Sequence, residues 1–111
     1  MPSKRDPQSL LPLTPAMFHV LVALADGETH GYAIMKDVEQ LTSGAVRLST
    51  GTLYGIIKRL LSEGLIREAR GDEGRRRSYE LTGFGRDVAR AEAARLEQTL
   101  AMARRKQLFK R

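Results

Sequence analysis

Hydroxyl and basic side chains concentrate between residues 49 and 77, in a pattern suited to holding an anionic polymer. The group comprises Ser49, Thr50, Thr52, Tyr54, Lys58, Arg75, Arg76 and Arg77. Hydroxyl, ammonium and guanidinium groups donate hydrogen bonds to phosphates and to base edges in a DNA groove. We therefore interpret these residues as candidate DNA contacts. Taken singly, the threonines are equally consistent with helix capping, and Tyr54 with a half-buried amphipathic ring.

The first five of these residues fall at the start of a predicted helix. Ser49 can cap it by accepting a hydrogen bond from the amide of Thr52, and the chain continues with apolar residues spaced by three or four. These residues, Leu53, Ile56, Ile57, Leu60 and Leu61, form one stripe that must face a core. Gly64 supplies the left-handed residue that commonly ends helices, so the helix is predicted to stop near Glu63.

Two extended runs follow this helix and predict a β-hairpin. The first begins at Leu65 and the second covers residues 75–81, while Gly71 and Gly74 bracket the polar loop between them. The three arginines then stand near the tip of the ribbon, where it projects furthest. A helix followed at once by a basic ribbon is the arrangement of a helix-and-wing DNA reader.

The preceding residues predict two shorter helices. Thr14-Pro15 has the pattern of an N-cap with proline at the first helical position, and Asp26-Gly27 is predicted to end that helix. Residues 28–32 are interpreted as a turn into the second helix, which Ser43-Gly44 closes. Three helices and a ribbon in this order predict a mainly α fold with a small β-hairpin. This fold is a winged helix-turn-helix, whose third helix enters the major groove of DNA.

A long C-terminal helix is predicted after Thr82, which can cap it. Small and apolar residues recur along it at alternating intervals of four and three, a repeat that favours a partner helix. The repeat consists of Ala89, Ala93, Leu96, Leu100, Ala103 and Gln107. We interpret it as a dimerisation helix, with packing against its own domain as the alternative. A two-fold dimer would match a pseudo-palindromic operator.

These elements divide the chain into three parts. Residues 1–12, which contain three prolines, are predicted to form a flexible arm, residues 13–82 a winged-helix DNA-binding domain, and residues 83–111 a dimerisation helix with a basic tail. The tail carries Arg104, Arg105, Lys106, Lys110 and Arg111. A solvated helix end and a contact with phosphate are both consistent with it.

Composition restricts the classes of protein to which the chain can belong. It has 111 residues, a formal net charge of +6 and a pI of about 10.2, which favours an anionic partner. Cysteine is absent, so disulfides and thiolate metal sites are excluded. No apolar run approaches the roughly 20 residues of a membrane span, and the N-terminus lacks a signal-peptide core. We expect a cytoplasmic protein that does not bind a membrane.

The motifs of common enzymes are missing from the sequence. It contains no nucleophile elbow, no phosphate-cradling loop and no cluster with metal-ligand spacing. His30 and His19 fall in different elements, and a hydrogen-bonded turn histidine is the favoured reading of His30. We therefore predict a protein that is not an enzyme and has no cofactor or metal. The contrasting alternative is a winged-helix interaction module that binds protein or RNA without specific DNA recognition.

Three segments together resemble the PadR family of bacterial transcriptional regulators, in its short form with one C-terminal helix. They are LTPAMFHVLVALADGETHGYAIMKDVE, STGTLYGIIKRLLSEGLIRE and RRRSYELTGFGRD. The most specific pieces are His30-Gly31-Tyr32, residues 51–54, residues 60–66, and residues 79–82 with Gly85. The resemblance covers about residues 13–100.

The resemblance implies a homodimeric winged-helix repressor that releases its operator when a small molecule or another signal is sensed. It places Thr50, Thr52, Tyr54 and Lys58 on the recognition helix and the arginines at 75–77 on the wing. The hydroxyl of Tyr54 falls at the position that typically meets a phosphate. The chain departs from the family pattern at Gly55, where a proline usually follows the tyrosine.

The resemblance also indicates where an effector would bind. Short members can hold flat, often aromatic ligands between subunits with a tryptophan of the C-terminal helix, and this chain has no tryptophan. Phe18, Met102 and Phe109 are the candidate effector-groove residues in its place. The alternative for each of them is a core or interface role.

Overall fold

The computed structural model describes residues 5–69 and 77–110 of the chain. The predicted loop at 71–74, and with it Arg75 and Arg76, lies outside these residues. The described elements are α1 (Pro15–Ala23), β1 (Thr29–His30), α2 (Gly31–Leu41), α3 (Thr50–Ser62), β2 (Ile66–Glu68), β3 (Ser78–Leu81) and α4 (Gly83–Arg105), preceded by a 3₁₀ turn at Pro7–Leu10. This architecture confirms the predicted winged helix with a long C-terminal helix.

Three of the helices begin at the hydroxyl caps that the sequence predicts. The side chains of Thr14, Ser49 and Thr82 each accept a hydrogen bond from the amide three residues further on, at 2.9–3.1 Å. Each cap satisfies one of the amides that a helix start leaves without a partner, and is worth about 1 kcal/mol. At the other end of α3, Gly64 has a φ of 76°, which confirms its predicted role in stopping that helix.

The first helix ends at Ala23, so the prediction that it continues to Asp26-Gly27 was wrong. The fully buried Leu24 closes the helix, and its amide bonds the carbonyls of both Val20 and Leu21, as in a tightened last turn. Gly27 then adopts a φ of 139°, which turns the chain towards β1.

The wing contains a third strand where the sequence predicts only a turn. Residues Thr29 and His30 form β1, and the strand order is β1-β3-β2 with antiparallel pairing throughout. Tyr79 lies at the centre, with Thr29 as its partner on one side and Glu68 on the other. A strand of two residues is too short to show periodicity, and the strand with which it pairs lies about 50 residues further along the chain.

The core lies where the three helices, the sheet and α4 meet. Fully buried side chains come from α1, α2, α3 and α4 and from the residue before β2, and they include Val20, Leu21, Ile34, Leu53, Leu60, Leu65 and Val88. The predicted stripe of α3 is confirmed, since Leu53, Ile57 and Leu60 are buried while Ile56 and Leu61 pack at its edge. None of the helices in the described ranges is long and apolar enough to span a membrane.

The start of α4 is packed against the chain segment that leaves α3. The amide of Thr82 bonds the carbonyl of Leu65 at 3.1 Å, and the Thr82 hydroxyl bonds the carbonyl of Gly64 at 2.6 Å. A Cβ atom placed on Gly85 would lie only 1.8 Å from the Leu65 carbonyl oxygen. Only a glycine fits at position 85, because the opposing atoms belong to the backbone.

The two halves of α4 have different surroundings. In the first half Gly85, Val88 and Glu92 are buried against the domain, and Ala89 packs at the edge of the core. From Ala93 onwards most residues are exposed, including 46% of Leu100. The alternative of packing on its own domain therefore applies to the first half, and the second half extends away with an open face.

Glu92 is a buried charge that ties α4 to the segment before α1. Only 1% of the residue is exposed, and its carboxylate accepts hydrogen bonds from the Leu13 amide at 3.0 Å and from Arg95. The hydrogen bond from Arg95 holds the pKa of Glu92 below its ordinary value, with the Leu13 amide contributing in the same direction and burial opposing both.

The described part of the N-terminal segment, residues 5–12, also contacts the ends of two helices. Arg5 donates to the carbonyl and to the carboxylate of Glu63, at the C-terminal end of α3, and its guanidinium lies 4.8 Å from the ring centroid of Phe84. A cation at this end of a helix is favoured by the helix dipole. Residues 5–12 thus contact both α3 and α4. The predicted flexibility of residues 1–12 and the predicted boundaries after 12 and 82 stay predictions.

We expect Gly85→Ala to lower the free energy of unfolding by about 2 kcal/mol or more, because the added methyl group must displace backbone. Gly83→Ala is the matched control, since a Cβ there meets open space. It should leave the protein equally stable, or up to about 1 kcal/mol more stable, because alanine favours helix. Urea unfolding followed by circular dichroism measures both. Equal effects at the two positions would contradict the close approach at Gly85.

We expect Glu92→Gln to lower the free energy of unfolding at pH 7 by about 1–3 kcal/mol. A group whose pKa is lowered by folding stabilises the protein above its unfolded pKa of about 4.3, and this contribution is lost as the pH falls through the lower folded value. The difference between wild type and variant should therefore shrink below about pH 4.

The matched control for Glu92 is Glu80→Gln, which removes a surface ion pair of 2.8 Å with Arg67 and should cost less than about 1 kcal/mol. Urea unfolding at several pH values and one fixed protein concentration compares the two. A deficit for Glu92→Gln that is the same at pH 3 and pH 7 would show that the carboxylate charge is not what stabilises the contact.

Candidate nucleic-acid interface

The face of α3 that points away from the core carries the predicted polar residues. Thr50, Thr52, Tyr54 and Lys58 are all exposed and lie outside the buried stripe of Leu53, Ile57 and Leu60. Gly51 and Gly55 lie on the same outer side, and a Cβ on either would meet nothing within 4 Å. The first three turns of α3 therefore present hydroxyl groups and one ammonium group on an open helix surface.

Ser49 and Thr52 form a closed pair of hydroxyl groups at the start of α3. The Ser49 hydroxyl accepts from the Thr52 amide at 3.1 Å and donates to the Thr52 hydroxyl oxygen at 3.0 Å. The hydrogen-bonding capacity of the Ser49 hydroxyl is thus largely used by the cap. The Thr52 hydroxyl accepts in this pair and keeps its own hydrogen to donate outwards. Of the two, Thr52 is the better placed to contact a ligand.

Tyr54 lies across the start of α2. A Cβ atom on Gly31 would be 2.5 Å from the Tyr54 hydroxyl oxygen and 3.0 Å from the adjoining ring carbon. The missing side chain of Gly31 is therefore what lets the ring lie here, with 45% of the residue exposed. Gly55 does not break the helix, since α3 is continuous from Thr50 to Ser62.

The two adjacent cations of α3 differ in their surroundings. Arg59 lies 3.6 Å from the carboxylate of Glu63 and lines a cleft with Leu10 and Thr14, on the side of the N-terminal segment. Lys58 is exposed on the outer side and makes no ion pair with any residue of the described ranges. Its charge is thus available to an anion, whereas that of Arg59 is partly neutralised.

The described part of the wing carries further cations at its base. Arg77 is largely exposed, with its guanidinium 3.8 Å from the carboxylate of Glu68, and Arg67 pairs with Glu80. Tyr79 lies beneath them, and burial raises the pKa of its phenol, with the neighbouring Tyr54 and Glu68 adding to the rise. Arg77 and Tyr54 both lie close to Tyr79. Arg75 and Arg76 lie outside the described residues.

The start of α2 is a part of this surface that the sequence reasoning missed. Tyr32 is 63% exposed, one residue from the Gly31 that touches Tyr54, and the ammonium of Lys36 lies 5.8 Å from its ring centroid. The N-terminus of a helix also carries partial positive charge, which favours an anion. The available signal was the spacing of Tyr32 and Lys36, four residues apart and off the apolar stripe of α2.

A separate groove runs between α1 and the second half of α4. This α1–α4 groove has a volume of about 550 Å³, and its walls are formed by Phe18, Arg90, Ala93, Ala94, Leu96, Glu97 and Leu100. Three predicted dimerisation residues line it, while Ala89 packs at the core edge and Ala103 lies further along α4. Of the predicted effector residues only Phe18 lines the groove. Met102 and Phe109 are exposed beyond it, with Phe109 beneath the guanidinium of Arg104.

A comparison with known protein families agrees with the winged-helix fold described above. A model described as the transcriptional regulator PadR-like family matches residues 20–91, more than half of the chain. The chain belongs to the PadR-like family. The matched range holds α2, α3, the wing and the packed half of α4, and it includes both close-approach glycines, Gly31 and Gly85. The resemblance seen in the sequence is thereby confirmed.

Two curated relatives match a similar share of this PadR-like chain. The transcriptional regulator Rv3488 of Mycobacterium tuberculosis is 37% identical over 82 residues, which are 72% of this chain and 74% of that protein. An uncharacterized 37.1 kDa protein in transposon TN4556 of Streptomyces fradiae is 44% identical over 78 residues. Those residues are 70% of this chain but only 22% of the Streptomyces protein's length.

Solved structures share the fold. A transcriptional regulator from Clostridium thermocellum superposes with a TM-score of 0.71 at 27% identity, covering 80% of this chain and 86% of that one. Bacillus subtilis PadR, in complex with operator DNA, superposes with a TM-score of 0.61 at 23% identity, covering 72% of this chain and 47% of that one. The second likeness concerns the fold alone.

Proposed function

We propose that this PadR-like protein is a homodimeric transcriptional repressor that binds operator DNA and is released by a small molecule or another signal. The observation that carries the proposal is the outer face of α3, where Lys58 is exposed, has no ion pair within residues 5–69 and 77–110, and follows Tyr54 and the capped hydroxyl pair. The operator complex of Bacillus subtilis PadR, which has the same fold, supports duplex DNA as the ligand.

In this proposal the first turns of α3 enter the major groove. Thr50 and Thr52 then face base edges, and Tyr54 and Lys58, four residues apart on the same side of α3, face phosphates. The start of α2 holds the same backbone through its amides and Lys36. Arg75, Arg76 and Arg77 of the wing neutralise neighbouring phosphates, so that affinity falls steeply with salt. Ser49 acts mainly by holding the helix start in place.

Dimerisation through the open half of α4 follows from the same proposal. Ala93, Leu96, Leu100 and Ala103, together with the edge residue Ala89, form the contact surface. Two copies related by a two-fold axis would present their recognition helices to half-sites about one DNA turn apart, roughly 34 Å, in a pseudo-palindromic operator. Occupation of such a site excludes RNA polymerase, which gives repression in the cytoplasm.

An effector would act through the α1–α4 groove. A flat apolar molecule could pack on Phe18, with Met102 and Phe109 contributing only if a second copy brings them to the groove. Such a ligand would change the angle between subunits and hence the spacing of the two α3 helices. It relieves repression only if it binds the DNA-free arrangement more tightly.

We expect the protein to bind the DNA upstream of its own gene at least about a thousandfold more tightly than unrelated DNA at about 0.15 M salt. Self-regulation makes that segment the first choice for an operator. Fluorescence anisotropy with the two DNAs at several salt concentrations measures the difference. Absence of binding at low salt by an intact dimer would favour an interaction module that binds protein or RNA.

The neighbouring cations of α3 make this experiment specific to the proposed face. Lys58→Ala should weaken binding to every sequence and lower the salt slope by about one, because one phosphate contact is lost. Arg59→Ala is its control, since Glu63 at 3.6 Å already neutralises part of the Arg59 charge, and it should change the slope by less than Lys58→Ala does. Equal slopes for Lys58→Ala and wild type would place the DNA on a different surface.

We expect Gly31→Ala to weaken operator binding about tenfold while changing the free energy of unfolding by less than about 1 kcal/mol. The new methyl group displaces the Tyr54 hydroxyl, which is the far end of a half-exposed side chain and can move at little cost. Tyr54→Phe should weaken binding similarly. In the double variant the two losses should not add, because both act on the same hydroxyl. Fully additive losses would mean that Gly31 contributes independently of Tyr54.

A further inference from the structure

Two opposite charges line the α1–α4 groove, one near each end. Arg90 and Glu97 both line the groove and are exposed, and neither forms an ion pair with any residue of the described ranges. They are seven residues apart, so two helical turns place them on the same side of α4. Ala93 and Ala94 lie between them on the groove wall. The arrangement is a small, flat helix surface with one charge at each end.

The sequence of charges and alanines discriminates between the two ways in which a two-fold axis can pair this helix with a second copy. A parallel pair would set Arg90 against the partner's Arg90, and likewise Glu97 against the partner's Glu97, and like charges repel. An antiparallel pair with its axis between Ala93 and Ala94 sets Arg90 against the partner's Glu97. By symmetry the same contact then forms twice.

The residues around the charges suit the antiparallel arrangement. Alanine at the crossing point lets two helix backbones approach closely, and antiparallel helix dipoles attract one another. The flanking Leu96 and the 46% exposed Leu100 would be covered, next to Phe18 of α1. Apolar contacts of this kind contribute most of the association energy, while charges at the rim decide which register and which partner are accepted.

We infer that Arg90 and Glu97 form a reciprocal pair of salt bridges between two copies of this chain, fixing an antiparallel α4 register and selecting a second copy of the same chain as partner. The inference rests on the proposed homodimer and adds its register and its selectivity. A related chain with one of these charges reversed would meet repulsion at both ends of the contact.

Charge reversal tests the pairing without touching the core. Dimer dissociation constants of the full chain are measured by analytical ultracentrifugation at low salt for wild type, Arg90→Glu, Glu97→Arg and the double reversal. Each single reversal should raise the dissociation constant by about tenfold or more, since two attractive contacts become repulsive. The double reversal should return to within about threefold of wild type. Arg47→Glu, outside the groove, should have no effect.

Mixing the two single variants provides the decisive measurement. Arg90→Glu has two acids and Glu97→Arg two bases on the groove, so native mass spectrometry of a mixture should show the heterodimer at about ten times or more the level of either homodimer. If wild type and the single reversals dimerise equally well, the Arg90–Glu97 salt bridges are wrong but the proposed homodimer stands. Wild type that stays monomeric would overturn the proposed homodimer as well.

Discussion

A contact between two backbone segments, Gly85 against the carbonyl of Leu65, determines how the C-terminal helix is oriented relative to α3. Leu65 follows directly on Gly64, where α3 ends, and Thr82 at the start of α4 bonds the carbonyls of both residues. Because these atoms belong to the main chain, they cannot rotate away as side chains can. The direction of α4 is therefore coupled to that of α3. In a dimer joined by α4, the same contact would determine the distance between the two recognition helices.

The N-terminal segment also holds α4 in place relative to α3. The Leu13 amide bonds the buried Glu92, and Arg5 bonds the last turn of α3 while covering Phe84 at the start of α4. The buried carboxylate is stable there because Arg95 and a backbone amide replace its water. The first half of α4 thus belongs mechanically to the winged domain. The second half extends from it as an arm, which explains why the residues of one helix are buried in its first half and mostly exposed in its second.

Local signals in the sequence were sufficient for most of the fold and insufficient wherever distant segments meet. The caps Thr14, Ser49 and Thr82 act within three residues, so their types alone predicted three helix starts. Strand β1 was missed because its pairing with β3 spans about 50 residues, and the change of surroundings along α4 was missed because it depends on the position of the domain. The same difference between local and distant signals applies to the candidate site. The residues that face outwards from α3 could be predicted from periodicity, but the pairing of Arg59 with Glu63 and the contribution of α2 could not.

The composition of α3 shows how a helix of 13 residues can tolerate two glycines. Glycine costs about 1 kcal/mol relative to alanine within a helix, and Gly51 and Gly55 both lie in the part that would meet DNA. The Ser49–Thr52 hydroxyl pair and the buried Leu53 and Ile57 offset this cost from the other faces, and the helix remains continuous. What the glycines provide is open space on the outer side, where two side chains fewer stand between the helix backbone and a ligand. Ser49 is consequently occupied with holding the helix start together, and under the proposed DNA binding the contacts would fall to the exposed side chains that follow it, Thr50, Thr52, Tyr54 and Lys58.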